Sequence, residues 1–304
     1  MVEERFGVVV TAATPFYEAP EKAIYRLDRA GGGPLVVRLF PADRPLDRVV
    51  GDAAVLRHLE AEDIPAERVV TALDGSPSVR LGPRGVLVTR LIPGGPPGLT
   101  ADALEQMGAT LGRLHALPAS PAGHVHLARR AGSLPREDLA HARAWLASAD
   151  PSLAPEHDAL RLAVEATHDC EDLPFALTHP DCHPGNMIQT PGGNVVLFDW
   201  DGAGHGPRIA ALGVLLYACA IQPPFGPPVA PDLSRVDAIM RGYARHASLS
   251  PEEQDRLPDA IRFRPLAVAA RTLAEATAQG RPPPEGAWWT GYTRADEVAA
   301  RALG

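Results

Sequence analysis

Between Leu177 and Gly204 the chain reads LTHPDCHPGNMIQTPGGNVVLFDWDGAG, and four side chains in that run have the types and spacing for phosphoryl transfer. His179, Asp181 and Asn186 follow one another as H-x-D-x4-N, and Asp199 closes the apolar run VVLF. Moving a phosphoryl group requires a carboxylate that orients a hydroxyl nucleophile. It also requires oxygen ligands for a hard cation that offsets the phosphate charge. Asp181 is placed to accept the hydroxyl proton, Asn186 to supply a neutral oxygen ligand, and Asp199 to supply the main carboxylate to Mg2+. A cluster of β-turns would also use Asp, Asn, Gly and Pro, but it leaves the acid at the end of an apolar strand unexplained.

These side chains need elements to bring them together. MIQ-TPGGN-VVLF reads as a hairpin with glycine at its turn, which carries both ends of the Asn186–Asp199 gap to one edge of a cleft. Upstream, Phe6–Ala13, Ala23–Leu27 and Pro34–Phe40 are β-branched runs that predict an antiparallel meander, with TPFYEAPEK as the loop between the first two. Residues 46–60 carry apolar side chains at helical spacing, and Glu67–Ala72 and Gly85–Leu91 read as further strands. After IPGGPPG the pattern turns helical: Thr100 caps a helix through Leu117, and further helices fit 136–148, 155–169 and most of the chain beyond Pro207. The expected fold class is α+β and bilobal. A small β-rich lobe spans residues 1–91, a hinge 92–98, and a larger, mainly helical lobe 99–304.

A chain of 304 residues buries a core without disulfide or metal staples. Its 45% apolar and 22% charged composition excludes a wholly disordered chain, and its net charge of −8 argues against a broad nucleic-acid surface. Three cysteines, an odd and low count, imply no disulfide framework and a reducing, cytoplasmic setting. The N-terminus lacks the features of a signal peptide, and the most apolar run, Ile209–Ile221, is too short to span a bilayer and reads as a buried helix. No membrane partner is expected, and the chain is expected as a monomer or homodimer.

The motif follows the H-x-D-x4-N … D logic of protein kinases, with Pro180 in the place of their arginine. HPDCHPGN followed by VVLFDWDGAGHG resembles, more specifically, the aminoglycoside phosphotransferase and choline kinase-like family of small-molecule kinases. LVTRLIPGGPP resembles that family's interlobe hinge, MGATLGRLHALP the helix after it, and RGYARHASLSPEEQDRL its C-terminal helices. The resemblance implies a protein-kinase-like fold, ATP or GTP with Mg2+, and a small-molecule acceptor bearing a hydroxyl. Carried over residue by residue, it implies that Asp181 is the catalytic aspartate, with Asn186 and Asp199 as metal ligands. His179 would orient the loop, His183 would hold a hydrogen bond there or face the acceptor, and Asp201 would be a secondary acid. Backbone groups of Arg90, Leu91 and Ile92 would hold the purine.

The chain departs from the family pattern in four places. Its one lysine is Lys22, so the β-strand position that usually carries a phosphate-binding lysine is Arg38. The acidic partner expected on the next helix is Asp52, one methylene shorter than the usual glutamate. The nucleotide loop TPFYEAPEK contains no glycine, and Ala210 stands where an aspartate commonly ties a helix to the catalytic loop. A pseudokinase-type binding module would account for the first and third departures, and a choline, ethanolamine, homoserine or sugar kinase is the metabolic alternative to an antibiotic-modifying one. The cluster His168, Cys170, His179, Cys182 and His183 lacks the C-x2-C pairs of a zinc site, and His124-x-His126 reads as a solvated loop. Trp288, Trp289 and Tyr292 read as docking a terminal helix, or alternatively as a cage for a cation. The acidic run Pro251–Asp259 reads as a solvated helix face or as the lining of an acceptor site for a polyamine.

Overall fold

Three β-branched runs near the N-terminus pair into a meander in the computed structural model of the chain. It describes residues 2–19, 22–118, 129–132, 134–153, 156–222, 229–282 and 287–304. A short helix, Val2–Phe6 (α1), precedes strands Val10–Ala19 (β1), Lys22–Arg29 (β2) and Gly32–Leu39 (β3). Helix Leu46–Ala61 (α2) follows, then the hairpin Val79–Leu81 (β4) and Arg84–Arg90 (β5). The five strands form one sheet in the order β1-β2-β3-β5-β4.

Two expectations need correction here. TPFYEA is not a loop, because β1 runs through it, pairing Tyr17 with Ile24 and Ala19 with Lys22. A proline is tolerated there because β1 is an edge strand, and the register shifts between Pro15 and Tyr17. The turn itself falls on residues 20–21, outside the described residues. Glu67–Ala72 is not a regular strand. It runs beside β5, with Val70 N–H donating to Val88 O at 2.8 Å and Arg90 N–H to Arg68 O at 2.9 Å.

The second lobe begins with Ala101–His115 (α3), capped by the Thr100 side chain as its sequence predicts. Pro135–Ser148 (α4) and His157–Ala166 (α5) lead to strand Phe175–Thr178 (β6), the hairpin Met187–Gln189 (β7) and Val195–Leu197 (β8), and strand Gly204–Pro207 (β9). Arg208–Leu216 (α6) continues through one π-helical turn to Ile221. Leu233–Tyr243 (α7), Pro251–Ala278 (α8) and Ala287–Leu303 (α9) complete the chain. The run 209–221 is buried almost throughout, as expected. Among the described residues no helix is long and apolar enough to cross a membrane.

Apolar side chains sort into a cluster under the first sheet, a second among α4, α5 and α8, and a large one that runs from Phe40 and α2 across to α3, the β7–β8 hairpin and α6. Helices α3 and α7 approach until their backbones touch. A Cβ on Gly108 would lie 2.0 Å from Ile239 O, and one on Gly242 would lie 1.9 Å from Glu105 O. The segment after β5 is tied to the hairpin: Gly95 and Gln189 exchange backbone hydrogen bonds at 3.2 and 2.9 Å. Gly94, at φ 141°, has no room for a side chain, since a Cβ would lie 2.2 Å from Gln189 O.

Candidate active site

The loop from His179 to Asn186 sits between β6 and β7, and the end of β8 lies directly beside it. His179 is fully buried and joins the two: its Nδ1 accepts from the Asp181 N–H at 3.2 Å, and its Nε2–H donates to Phe198 O at 3.0 Å. Burial disfavours the charged ring and lowers its pKa, so the neutral tautomer that these two bonds require is the stable one. The Phe198 N–H donates in turn to Asn186 O at 3.0 Å. The hairpin closes as the sequence predicts, pairing Met187 with Leu197, and Asn186 and Asp199 arrive on neighbouring backbone. Asp199 adopts φ 65°, a left-handed conformation rare for a side-chain-bearing residue, at the point where the chain leaves the strand.

Both oxygens of Asp181 are engaged. Oδ2 accepts from His183 Nε2 at 3.1 Å and from Asn186 Nδ2 at 3.1 Å, and Oδ1 accepts from Arg264 of α8 at 2.5 Å. Burial pushes the Asp181 carboxyl pKa up, but the His183 hydrogen bond and then the Arg264 guanidinium outweigh it and hold the group well below the ordinary carboxylate range. Arg264 also bonds Asp138 of α4 at 3.1 Å, so α4, α8 and the loop meet at this carboxylate.

Across the cleft the charges are arranged differently from expectation. The pair Arg38–Asp52 is not formed. Arg38, 3% exposed on β3, bonds Glu67 instead, and Glu67 uses its other oxygen on the Asp199 N–H at 3.2 Å. Asp52, 1% exposed, is held by Arg44 at 2.6 Å and Arg129 at 2.5 Å. A carboxylate one methylene short cannot bridge to β3, and two arginines on nearer loops take it. Arg129 also donates to Ala203 O at 2.7 Å, which fastens α2 to the segment after Asp199.

Lys22 occupies the centre of this arrangement. Its ammonium lies 2.6 Å from Asp199 Oδ1 and 2.7 Å from Asp201 Oδ2. Burial works to lower its pKa, but Asp201 and Asp199 raise it further and keep the group charged. Asp201 is also shifted, downward against burial, by Arg38 and Lys22.

A profile of the phosphotransferase enzyme family matches residues 21–249. The chain belongs to that family. It is an enzyme of the small-molecule kinase kind, and its bilobal fold is that of such kinases. No curated protein matches the sequence. Among solved structures it is similar to an amicoumacin kinase in complex with AMP-PNP, Ca2+ and Ami, at TM-score 0.70 and 15% identity over 99% of this chain and 91% of the other. It is similar to a spectinomycin phosphotransferase in complex with ADP and spectinomycin, at TM-score 0.67 and 13% identity over 100% and 95%. A microcompartment-associated aminopropanol kinase aligns at TM-score 0.59 and 18% identity over 97% and 93%.

Within this phosphotransferase, His179, Asp181, His183, Asn186 and Asp199 come together, and Arg38 lies behind them. Arg90 and Leu91 donate their N–H groups to Arg68 O and Pro34 O, at 2.9 and 3.0 Å, so both of these N–H groups are engaged within the chain. Lys22, Glu67, Arg129 and Arg264 are the site residues that sequence reasoning missed. The signal for Lys22 was its being the chain's one lysine. The other three carried none, because each acts across a long sequence separation.

Other candidate groups take structural positions. Ala210 packs into the cluster of α4, α5 and α8, and Tyr292 packs against the same cluster with Arg262 over its ring. Trp289 stacks on Tyr292 and is 45% exposed. In the acidic run, Glu253 is buried, completes the capping box with Ser250 and pairs with Arg208 at 2.7 Å. Cys170, Cys182 and Cys219 are free and buried, and burial pushes the Cys170 and Cys219 thiols up to about 12. His124 and His126, and the Trp288 side chain, lie outside the described residues.

Proposed function

We propose that this chain is a nucleoside-triphosphate-dependent O-phosphotransferase that uses ATP or GTP with Mg2+ to phosphorylate a hydroxyl of a small, cationic acceptor in the cytoplasm. The observation that carries the reading is the double tie through His179, which fixes the Asp181 carboxylate relative to the strand end that presents Asp199. Asp181 receives the acceptor hydroxyl and takes its proton as the acceptor oxygen bonds the γ-phosphorus and the bond from that phosphorus to the β–γ bridging oxygen breaks, releasing the nucleoside diphosphate. Its depressed basicity suits a loose transition state, in which orientation matters more than proton affinity. His183, Asn186 and Arg264 hold it in one orientation. The residues fit a divalent cation: Asp199 and Asp201 already share one positive group, and the second oxygen of Asp201 is buried without a hydrogen-bond partner in the described structure. Asn186, Asp199 and Asp201 would hold Mg2+, which when bound neutralises phosphate charge. Arg38, kept in place by Glu67, adds a fixed positive potential behind them, so most of the rate enhancement comes from positioning and electrostatics.

The net charge of −8 supports a cationic acceptor. So do neighbours named for amicoumacin, spectinomycin and aminopropanol. The test is transfer of the γ-phosphate to a panel of hydroxylated amines, with thermal-shift titration by ATP and GTP, each with and without Mg2+. Nucleotide at a hundred times its dissociation constant should stabilise the fold by about 2.7 kcal/mol, a shift of a few degrees. Asp181→Asn should retain that shift and lose turnover by orders of magnitude. Full turnover in that variant removes Asp181 from its role, and no shift with either nucleotide refutes the reading.

A further inference from the structure

A metal ion held by Asp199 and Asp201 would meet a cation already bound between them. Mg2+ takes oxygen ligands at roughly 2.0–2.1 Å, whereas the Lys22 ammonium already sits within hydrogen-bond distance of one oxygen on each aspartate. The other cations nearby are committed elsewhere: Arg38 bonds Glu67, and Arg44 and Arg129 bond Asp52. Among the described residues Lys22 is therefore the cation that pairs directly with both acids. It also stands at the mouth of the β1–β2 hairpin, with its side chain 17% exposed, on a flexible four-carbon stem that lets the head move while the strand stays paired. Arg38, 3% exposed and locked to Glu67, has no such freedom.

We infer that Lys22 is a tethered counter-cation of the metal site, which blocks a bare divalent ion and transfers to the nucleotide phosphates when metal and nucleotide enter together. The inference rests on the kinase reading given under Proposed function. Displacing the ammonium without a new anion strands it in a partly buried cleft. A triphosphate supplies that anion, so metal and nucleotide each favour the binding of the other, and the coupling is reciprocal. The hairpin then does without a glycine-rich loop because its contribution to the phosphates is a side chain rather than backbone N–H groups.

The experiment measures binding, not turnover. Affinity for Mn2+ alone is read from the loss of the free-ion electron paramagnetic resonance signal, and affinity for AMP-PNP is read by calorimetry in saturating Mn2+. Lys22→Met should tighten Mn2+ alone by about fivefold or more and weaken AMP-PNP by a similar factor, at the lower end of typical coupling. Lys22→Arg, which keeps the charge, should stay near wild type in both. General damage to the site would weaken both ligands, so the opposite signs are diagnostic. Unchanged or weaker Mn2+ binding in Lys22→Met overturns the inference even where nucleotide still binds, and Lys22→Gln carries the same test if the methionine variant folds poorly. Absence of nucleotide binding in the wild-type protein overturns the kinase reading and this inference with it.

Discussion

Replacing Arg264 isolates what holds Asp181, the carboxylate proposed to receive the acceptor hydroxyl. The guanidinium contacts Asp181 Oδ1 at 2.5 Å and Asp138 at 3.1 Å, and it sits in mid-helix beside Pro265. A hydrogen bond between charged groups contributes roughly 1.5–3 kcal/mol. The Asp181 side chain is 45% exposed, so solvent screening favours the lower end, about 1.5 kcal/mol or roughly tenfold in rate. Arg264→Met should lower kcat with the best acceptor by about that factor. Nucleotide affinity should hold, because His179, Asn186 and Asp199 are untouched. The variant also removes one of the groups that depress the Asp181 pKa, so the acidic limb of the kcat profile should move to higher pH. Arg264→Lys should recover only part of the loss, since Arg264 reaches Asp138 and Asp181 through separate guanidinium nitrogens and a shorter lysine lacks that planar fork. Stopped-flow or coupled-assay profiles across the acid range decide it. An unchanged kcat together with an unmoved acidic limb in Arg264→Met would refute the positioning argument.

Other outcomes follow from the packing and the buried charges. Gly242→Ala places a methyl against Glu105 O and should destabilise the fold by at least about 1–3 kcal/mol in chemical denaturation; a neutral result would mean that α3 and α7 separate easily. Glu67→Gln leaves Arg38 buried opposite a neutral amide and should lower stability by roughly 3–5 kcal/mol, the usual effect of breaking a buried pair. His115, buried against the Tyr243 hydroxyl at 3.1 Å, has its pKa pushed down to about 3 by burial and by Arg208. Below the unfolded value the denatured chain takes up a proton that the native chain refuses, so stability falls as pH drops from about 6.5 toward 3, by about 1.4 kcal/mol per pH unit for this one group. Urea titrations at pH 6 and pH 5 should show a shallower fall in His115→Gln; an identical slope would place the burden on other groups such as His179.

Local patterns made much of the molecule legible. The 3.6-residue period and the Thr100 cap marked α3 to within two residues at its end. The H-x-D-x4-N spacing and the glycine turn marked the candidate catalytic loop and the hairpin, because their geometry is set by neighbours in sequence. Ion pairs were not legible. Glu67 meets Arg38 across 29 residues, Arg129 meets Asp52 across 77, Arg264 meets Asp181 across 83, and Lys22 meets Asp199 across 177. Nothing in any of those segments announces its partner, and a strand-like run such as Glu67–Ala72 hid behind an apolar pattern the acid that bonds Arg38 and the Asp199 N–H. Pro15 misled for a related reason: a turn former reads as a turn unless the strand is known to lie at the edge of its sheet.

Lys22 is the one ε-amine in the chain, and it lies between Asp199 and Asp201. Reductive methylation with a carbon-13 label would therefore place a single side-chain probe in this protein, reporting from inside the cleft, with the α-amine as the other signal. Its chemical shift would follow release from the aspartates as ligands are added, in a spectrum with no other lysines to assign. The same scarcity lets an amine-directed reagent footprint the site, because protection of one residue reads out its occupancy.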